Sequence, residues 1–254
     1  MGRLTTLLFD VDGTLAETEE IHRESFNRTF AQAGLGWVWS KQLYAELLKV
    51  TGGKERIRYF LDRYLPDFEA PMNIDEYIAG LHAAKTGIFT RAVAAGEVPL
   101  RPGVRRLLEE TRRAGLRLAI TTTTTPANVT ALLHHSLSPD AESWFEVIGA
   151  GSIVPAKKPA PDIYHYVMQK MGVSPAECLA FEDSGNGLRS ARDAGVITLV
   201  TVSEYTRHDD FEGAALVLDH LGEPDSPFTV VSGDAGDSRY VTVDLLRELH
   251  SKWR

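Results

Sequence analysis

Cysteine is nearly missing from this sequence: Cys178 is the single one in 254 residues. An internal disulfide is therefore excluded, and a thiol inside an apolar run points to burial in a reducing compartment. Long apolar runs are missing too. None approaches the roughly 18 residues of a membrane span, and the run that begins at Leu4 leaves no room for a signal peptide, so a cytoplasmic protein without a membrane partner is expected. Met1-Gly2-Arg3-Leu4-Thr5-Thr6 matches the bare myristoylation pattern, but a glycine leading straight into a core strand argues against lipidation. Positive charge is the scarcer sign, with 27 Lys and Arg against 35 Asp and Glu for a net charge of -8. That balance argues against nonspecific binding to nucleic acid, while leaving room for a local basic pocket. Apart from the threonines at 121–125 there is no repeat or low-complexity segment. With 43% hydrophobic residues the chain can bury a substantial core, as one large domain or as a domain carrying a smaller insert. A monomer or weak homo-oligomer is expected.

What is present begins at the N-terminus. Leu4 to Phe9 is a short apolar run that ends in Asp10-Val11-Asp12-Gly13-Thr14, which predicts a buried parallel strand delivering paired carboxylates to its C-terminal end. Open α/β sheets bind ligands at such ends. A turn at Gly13 lets the chain curl so that both aspartates surround a common point. One carboxylate can then attack or bind metal while the other handles a proton. A plain Asx turn would also put aspartates at a strand end. A calcium loop starts this way as well, yet Leu15-Ala16-Glu17-Thr18 lacks its spaced ligands.

From Thr18 to Val93 the apolar spacing is helical, with Ile21, Phe26, Phe30, then Leu43, Leu47, then Ile57, Phe60, Leu61, then Ile78, Leu81, Ile88. Ala95 to Gly103, rich in Gly and Pro, reads as a return linker. Strand and helix then alternate: helix Val104–Ala114, strand Leu116–Thr122, helix Pro126–His135, strand Phe145–Ile148, helix Asp162–Met171, strand Cys178–Phe181, helix Gly187–Ala194 and strand Ile197–Val202. Repeated βα units predict a parallel sheet with helices on both faces. Beyond Leu218 the pattern weakens; a short strand at Thr229-Val230-Val231, a strand at Tyr240–Val243 and a helix Leu245–Lys252 are expected.

The remaining candidate chemistry also sits at strand ends. Thr121 to Thr125 before Pro126 can supply hydroxyls and backbone N–H groups to an anion, although a β-branched strand end with Thr125 as N-cap reads the same. Lys158, held before Pro159, can be a fixed cation for phosphate. Glu182-Asp183, after a fourth apolar strand, offers the hard oxygen ligands that Mg²⁺ prefers. Lys85 falls on the apolar stripe between Leu81 and Ile88, as a ligand or as a snorkelling side chain.

Taken in order, Asp10-x-Asp12-Gly13-Thr14, Thr122, Lys158-Pro159 and Glu182-Asp183 resemble the motifs of the haloacid dehalogenase (HAD) superfamily over nearly the whole chain. The stretches Asp12 to Glu20, Thr51-Gly52-Gly53-Lys54-Glu55-Arg56-Ile57, Leu100-Arg101-Pro102-Gly103, Asp183 to Leu188 and Tyr205-Thr206-Arg207-His208 are similar to the CbbY-like sugar phosphatases, which act on xylulose-1,5-bisphosphate, an inhibitor of Rubisco in the Calvin cycle. The resemblance implies an α/β, Rossmann-like doubly wound parallel sheet core (residues 1–16 and 97–222), an inserted helical cap domain (17–96) and a C-terminal extension of the core (223–254). It implies Asp10 as nucleophile, Asp12 as acid and base, Thr122 and Lys158 on the phosphoryl oxygens, and Mg²⁺ on Asp10, the Asp12 carbonyl and Asp183, with Glu182 behind them. For a sugar bisphosphate it implies Gly53, Lys54, Arg56, Lys85, Arg101 and Thr123, the charged ones against the distal phosphate, and Glu17 and His22 against hydroxyls. A β-phosphoglucomutase-like mutase, or a phosphatase of another small phosphate ester, shares the same motifs.

Overall fold

The structure, a computed structural model, describes residues 2–96 and 98–253; Glu97, at which the return into the core was expected to start, and both end residues of the expected domain spans lie outside the described residues. Seven strands form one sheet in the order β3-β2-β1-β4-β5-β6-β7. They are β1 (Thr6–Phe9), β2 (Arg117–Thr121), β3 (Val147–Gly149), β4 (Cys178–Glu182), β5 (Ile197–Thr201), β6 (Leu216–Leu218) and β7 (Val230–Gly233). All pairs are parallel except β6 with β7. The first strand lies between β2 and β4, and its four residues are all buried, as a strand covered on both faces must be.

Alternation along the strands divides the core in two. Leu7, Phe9, Leu118, Ile120, Leu179 and Phe181 face one apolar cluster, shared with α5 (Val104–Arg113), α6 (Pro126–Leu132) and α9 (Val243–Lys252). Leu8, Ala119 and Ala180 face the other, against α7 (Asp162–Met171) and α8 (Gly185–Asp193).

Four helices stand between β1 and α5: α1 (Glu19–Gln32), α2 (Lys41–Leu47), α3 (Gly53–Tyr64) and α4 (Ile74–Ala94). They have their own aromatic centre, in which Phe26 lies 4.6 Å and Phe30 5.0 Å from the Trp39 ring. The entering and leaving strands of chain are tied together, since Ala16 pairs with Leu100 and the Arg101 N–H donates to the Leu15 carbonyl at 2.9 Å.

Several elements differ from expectation. The strand β6 was not foreseen, because three residues cannot establish a period; β5 on one side and β7 on the other make it a strand. Tyr240–Val243 is not a strand: Thr242 caps α9 by accepting from the Leu245 N–H at 3.1 Å, so the helix begins at Val243. The helix from Pro126 is α-helical only to Leu132 and continues as a π turn, Leu133–Leu137. Among the described residues no helix is long and apolar enough to cross a membrane.

Candidate active site

Sheet register assembles the site. Because Phe9 is opposite both Ile120 and Phe181, the next residue, Asp10, is level with Thr121 and Glu182, and its N–H donates to the Phe181 carbonyl at 3.0 Å. Asp183 follows Glu182 at the end of β4. Ligand oxygens of Asp10, Glu182 and Asp183 all lie within 4.8 Å of one another, and all three residues are buried. Gly13 makes this closeness possible: it turns with φ of +79°, and a Cβ there would stand 2.1 Å from Asp183 Oδ2.

Lys158 provides the cation. Its Nζ donates to Asp10 Oδ1 at 2.7 Å and to Glu182 Oε1 at 2.6 Å, with its side chain 4% exposed. Burial alone would pull the ammonium down, but Asp10 and Glu182 outweigh it and raise it above the usual lysine value, so it stays charged. Glu182 Oε1 also accepts from the Tyr164 hydroxyl. Glu182 is therefore the anchor of Lys158. For Asp10, burial dominates, and with Glu182 and Asp12 nearby its carboxyl is raised from 3.8 to about 7 despite Lys158. Burial, Asp10 and Glu182 push Asp183 well above the carboxylate range. Three crowded carboxyl groups with one lysine form a hard, oxygen-rich, anionic cradle, and that donor set fits Mg²⁺.

Asp12 faces differently. Its Oδ1 accepts from the Thr18 hydroxyl at 2.6 Å and from His22 Nε2 at 2.9 Å, and Lys85 Nζ donates to His22 Nδ1. Burial would raise this carboxyl, but His22, Thr18 and the more distant Lys85 together hold it well below the usual range. Lys85 lies 4.9 Å from the Phe26 ring centre and 5.1 Å from that of Phe89, and burial lowers its ammonium to about 7 against the pull of Asp12 and Glu19. The stripe lysine thus braces Asp12 through a histidine.

A model of the haloacid dehalogenase-like hydrolases matches residues 4–195, which include all of these groups. The chain belongs to that family. It is a HAD-like hydrolase with the Rossmann-like parallel sheet, and it is 49% identical to the plasmid-encoded CbbY protein of Cupriavidus necator over 97% of each chain. It is 53% identical to CbbY of Rhodobacter capsulatus, covering 83% of this chain and 91% of that one. The crystal structure of an Asp-to-Asn variant of Rhodobacter sphaeroides CbbY, in complex with xylulose-1,5-bisphosphate, is 48% identical and superposes with a TM-score of 0.81, covering 85% of this chain and 94% of that one.

In this HAD-like hydrolase a cavity of about 1010 Å³ separates the cluster from the four helices. Thr122, Thr123, Gly53, Lys54, Arg56, His22 and Lys85 line it, together with Asp10, Asp12, Lys158, Glu182 and Asp183. Arg56 is braced inside the helical layer, donating to the Tyr44 hydroxyl at 2.9 Å and the Leu47 carbonyl at 3.2 Å. Two of the residues expected on substrate are elsewhere. Arg101 donates to the carbonyls of Gly13, Thr201, Val202 and Asp219, and Glu17 lies 3.3 Å from its Nε, so the pair ties the linkers to the sheet and does not line the cavity. An arginine in a Pro-Gly linker reads the same as a ligand or as a carbonyl clasp until its partners are placed.

Sequence reasoning missed His82, Asn128 and Tyr164. His82 lines the cavity one helical turn before Lys85, a spacing that was legible. Burial and the cations Lys85, Lys54 and Lys157 lower its imidazole to about 4, so it is neutral at ordinary pH. Asn128, whose Nδ2 donates to the Thr124 hydroxyl at 2.9 Å, and Tyr164 carried no sequence signal.

Proposed function

We propose that this hydrolase is a Mg²⁺-dependent sugar bisphosphate phosphatase that converts xylulose-1,5-bisphosphate to xylulose 5-phosphate and phosphate. The observation that carries this reading is the placement of Asp10, bonded to Lys158, beside a separately held Asp12, both facing a cavity lined by cap cations. The relative that binds this bisphosphate is nearly half identical. The helices of residues 17–96 then act as a cap that selects the substrate.

In the first step an Asp10 carboxylate oxygen bonds to phosphorus as the bond from phosphorus to the sugar oxygen breaks, leaving an aspartyl-phosphate. Asp12 gives that oxygen its proton; an anionic phosphate close by raises the proton affinity of Asp12 for this role. In the second step a water oxygen bonds to phosphorus as the bond from phosphorus to the Asp10 oxygen breaks, releasing phosphate and the free Asp10 carboxylate, while Asp12, now the carboxylate that His22 and Thr18 favour, takes the water proton. Lys158 and the Thr122 hydroxyl hold the phosphoryl oxygens. Asp10, Asp183 and the Asp12 carbonyl would hold Mg²⁺, which when bound neutralises charge on the transferring group.

Lys54 tests the substrate. It lines the cavity on an exposed first turn of α3 and can place a compact charge against the phosphate that is not cleaved. Lys54→Ala should lower kcat/KM for the bisphosphate about 30-fold, equivalent to roughly 2 kcal/mol, and scarcely change hydrolysis of para-nitrophenyl phosphate. Equal losses on both substrates would put Lys54 in cap folding and sink the bisphosphate assignment.

Metal removal gives a second check, read by melting temperature as well as by turnover. Chelation should abolish hydrolysis, and added Mg²⁺ should restore it. Protons compete with the cation for Asp10 and Asp183, whose carboxyls are raised, Asp10 to about 7. Mg²⁺ should therefore raise the melting temperature more at pH 8 than at pH 6. A shift that was larger at pH 6 would contradict carboxylate ligation.

A further inference from the structure

The loop joining α2 to α3 ends at Gly52 and leads into the first turn of α3, where Gly53 and Lys54 line the cavity, and two core residues hold this segment from below. Lys157 Nζ donates to Glu55 Oε1 at 2.7 Å. Asn186 Nδ2 donates to the Lys49 carbonyl and to the Thr51 hydroxyl, each at 3.2 Å. The Asn186 amide is turned toward the loop because its Oδ1 accepts from Arg189 at 2.5 Å.

Neither core residue is free to drift. Lys157 is the chain neighbour of Lys158, which is fixed to Asp10 and Glu182, and Asn186 is in the first turn of α8, three residues after Asp183. The two contacts thus join the cap loop to the backbone that carries the reacting groups. Gly52 permits this approach. It has φ of +100°, and a Cβ there would lie 2.2 Å from Glu55 Oε2 and 2.6 Å from Lys157 Nζ, in the middle of the ion pair. Burial would raise the Glu55 carboxyl, but Lys157 and the backbone outweigh it, so it is ionised when the pair forms.

We propose that Lys157 and Asn186 are positioning residues: through Glu55, Lys49 and Thr51 they hold the α2–α3 loop over the aspartate cluster, so that Lys54 meets one end of the substrate while Asp10 meets the other. This rests on the bisphosphatase reading for its kinetic arm only. The side chains of the pair are 15% and 45% exposed, so solvent screens it, and each contact is expected to be worth roughly a fivefold change.

The test uses the full-length protein with Glu55→Gln, Lys157→Met, their double variant, Asn186→Ala and Lys157→Arg. On xylulose-1,5-bisphosphate, Glu55→Gln and Lys157→Met should each lower kcat/KM about fivefold, mainly through KM, and the double variant should lose no more than either single one. Asn186→Ala should lose a similar factor, and Lys157→Arg should stay within about twofold of the parent. Hydrolysis of para-nitrophenyl phosphate should be unchanged in all five. Amide hydrogen exchange across Leu48 to Gly53 should quicken in Glu55→Gln, Lys157→Met and Asn186→Ala, whatever the natural substrate is. A loss in Lys157→Met without one in Glu55→Gln would make Lys157 a substrate ligand and overturn the positioning role. So would parallel losses on both substrates, additive losses in the double variant, or unchanged exchange in the loop. A parent enzyme inert on the bisphosphate, with exchange quickened in the variants, would overturn the substrate reading and leave the clamp standing.

Discussion

Asp10→Asn should lower turnover by about 10⁴-fold or more without unfolding the protein. An amide of the same size cannot attack phosphorus, so the loss is that of the covalent route itself. The fold should tolerate the change. Asp10 is one of three crowded buried carboxyl groups, and Lys158 keeps Glu182 as a partner at 2.6 Å. Replacing one of those charges by a neutral group relieves repulsion, so the melting temperature of the metal-free protein should not fall. Phosphate release and circular dichroism measured on the same preparation decide the matter; a folded variant within about tenfold of the parent removes Asp10 as nucleophile.

Lys158→Met should damage both chemistry and stability. The lysine is buried and bonded to two buried acids, and methionine keeps the length of the chain while removing the cation. Breaking a buried ion pair from one side costs about 3–5 kcal/mol, because the other charge is left uncompensated. For a chain of this size that corresponds to roughly 6–20 °C in melting temperature. The sign with pH follows from the partner left behind. Asp10, already raised to about 7, should move higher without its lysine, and a raised carboxyl contributes stability at low pH that is lost as pH rises through its folded value. The variant should therefore be closer to the parent in melting temperature at pH 5 than at pH 8. A variant that melts within about 2 °C of the parent at pH 8 would show that Lys158 does not hold the cluster. Turnover should fall by at least about 10³-fold, since the cation that donates to Asp10 is removed.

Which parts were legible follows from the range of the forces involved. Asp10, Thr122 and Asp183 each stand one residue beyond a strand, Glu182 ends one, and Asp12 and Lys158 lie in the loops after β1 and β3, so local apolar periodicity places them at one edge of a sheet. Roles that depend on a partner distant in the chain were not legible. Lys85 and Arg101 look alike in sequence, as cations in the insert and its linker. Packing separates them: Lys85 reaches His22 from across the helical layer, whereas Arg101 is surrounded by carbonyls from Gly13 to Asp219.

By itself the sequence determined the alternating sheet, the helical insert, and the set of oxygen and nitrogen groups delivered to the strand ends, because these rest on spacing within a few residues of one another. Tertiary structure alone decided that β6 is a strand, that Tyr240–Val243 is not, that Asp12 meets Thr18 and His22, and that Lys157 and Asn186 bond to the segment around the start of α3. Each of those outcomes is a competition for hydrogen-bond partners between segments far apart in the chain, and burial settles it only once the sheet and the cap have closed on each other.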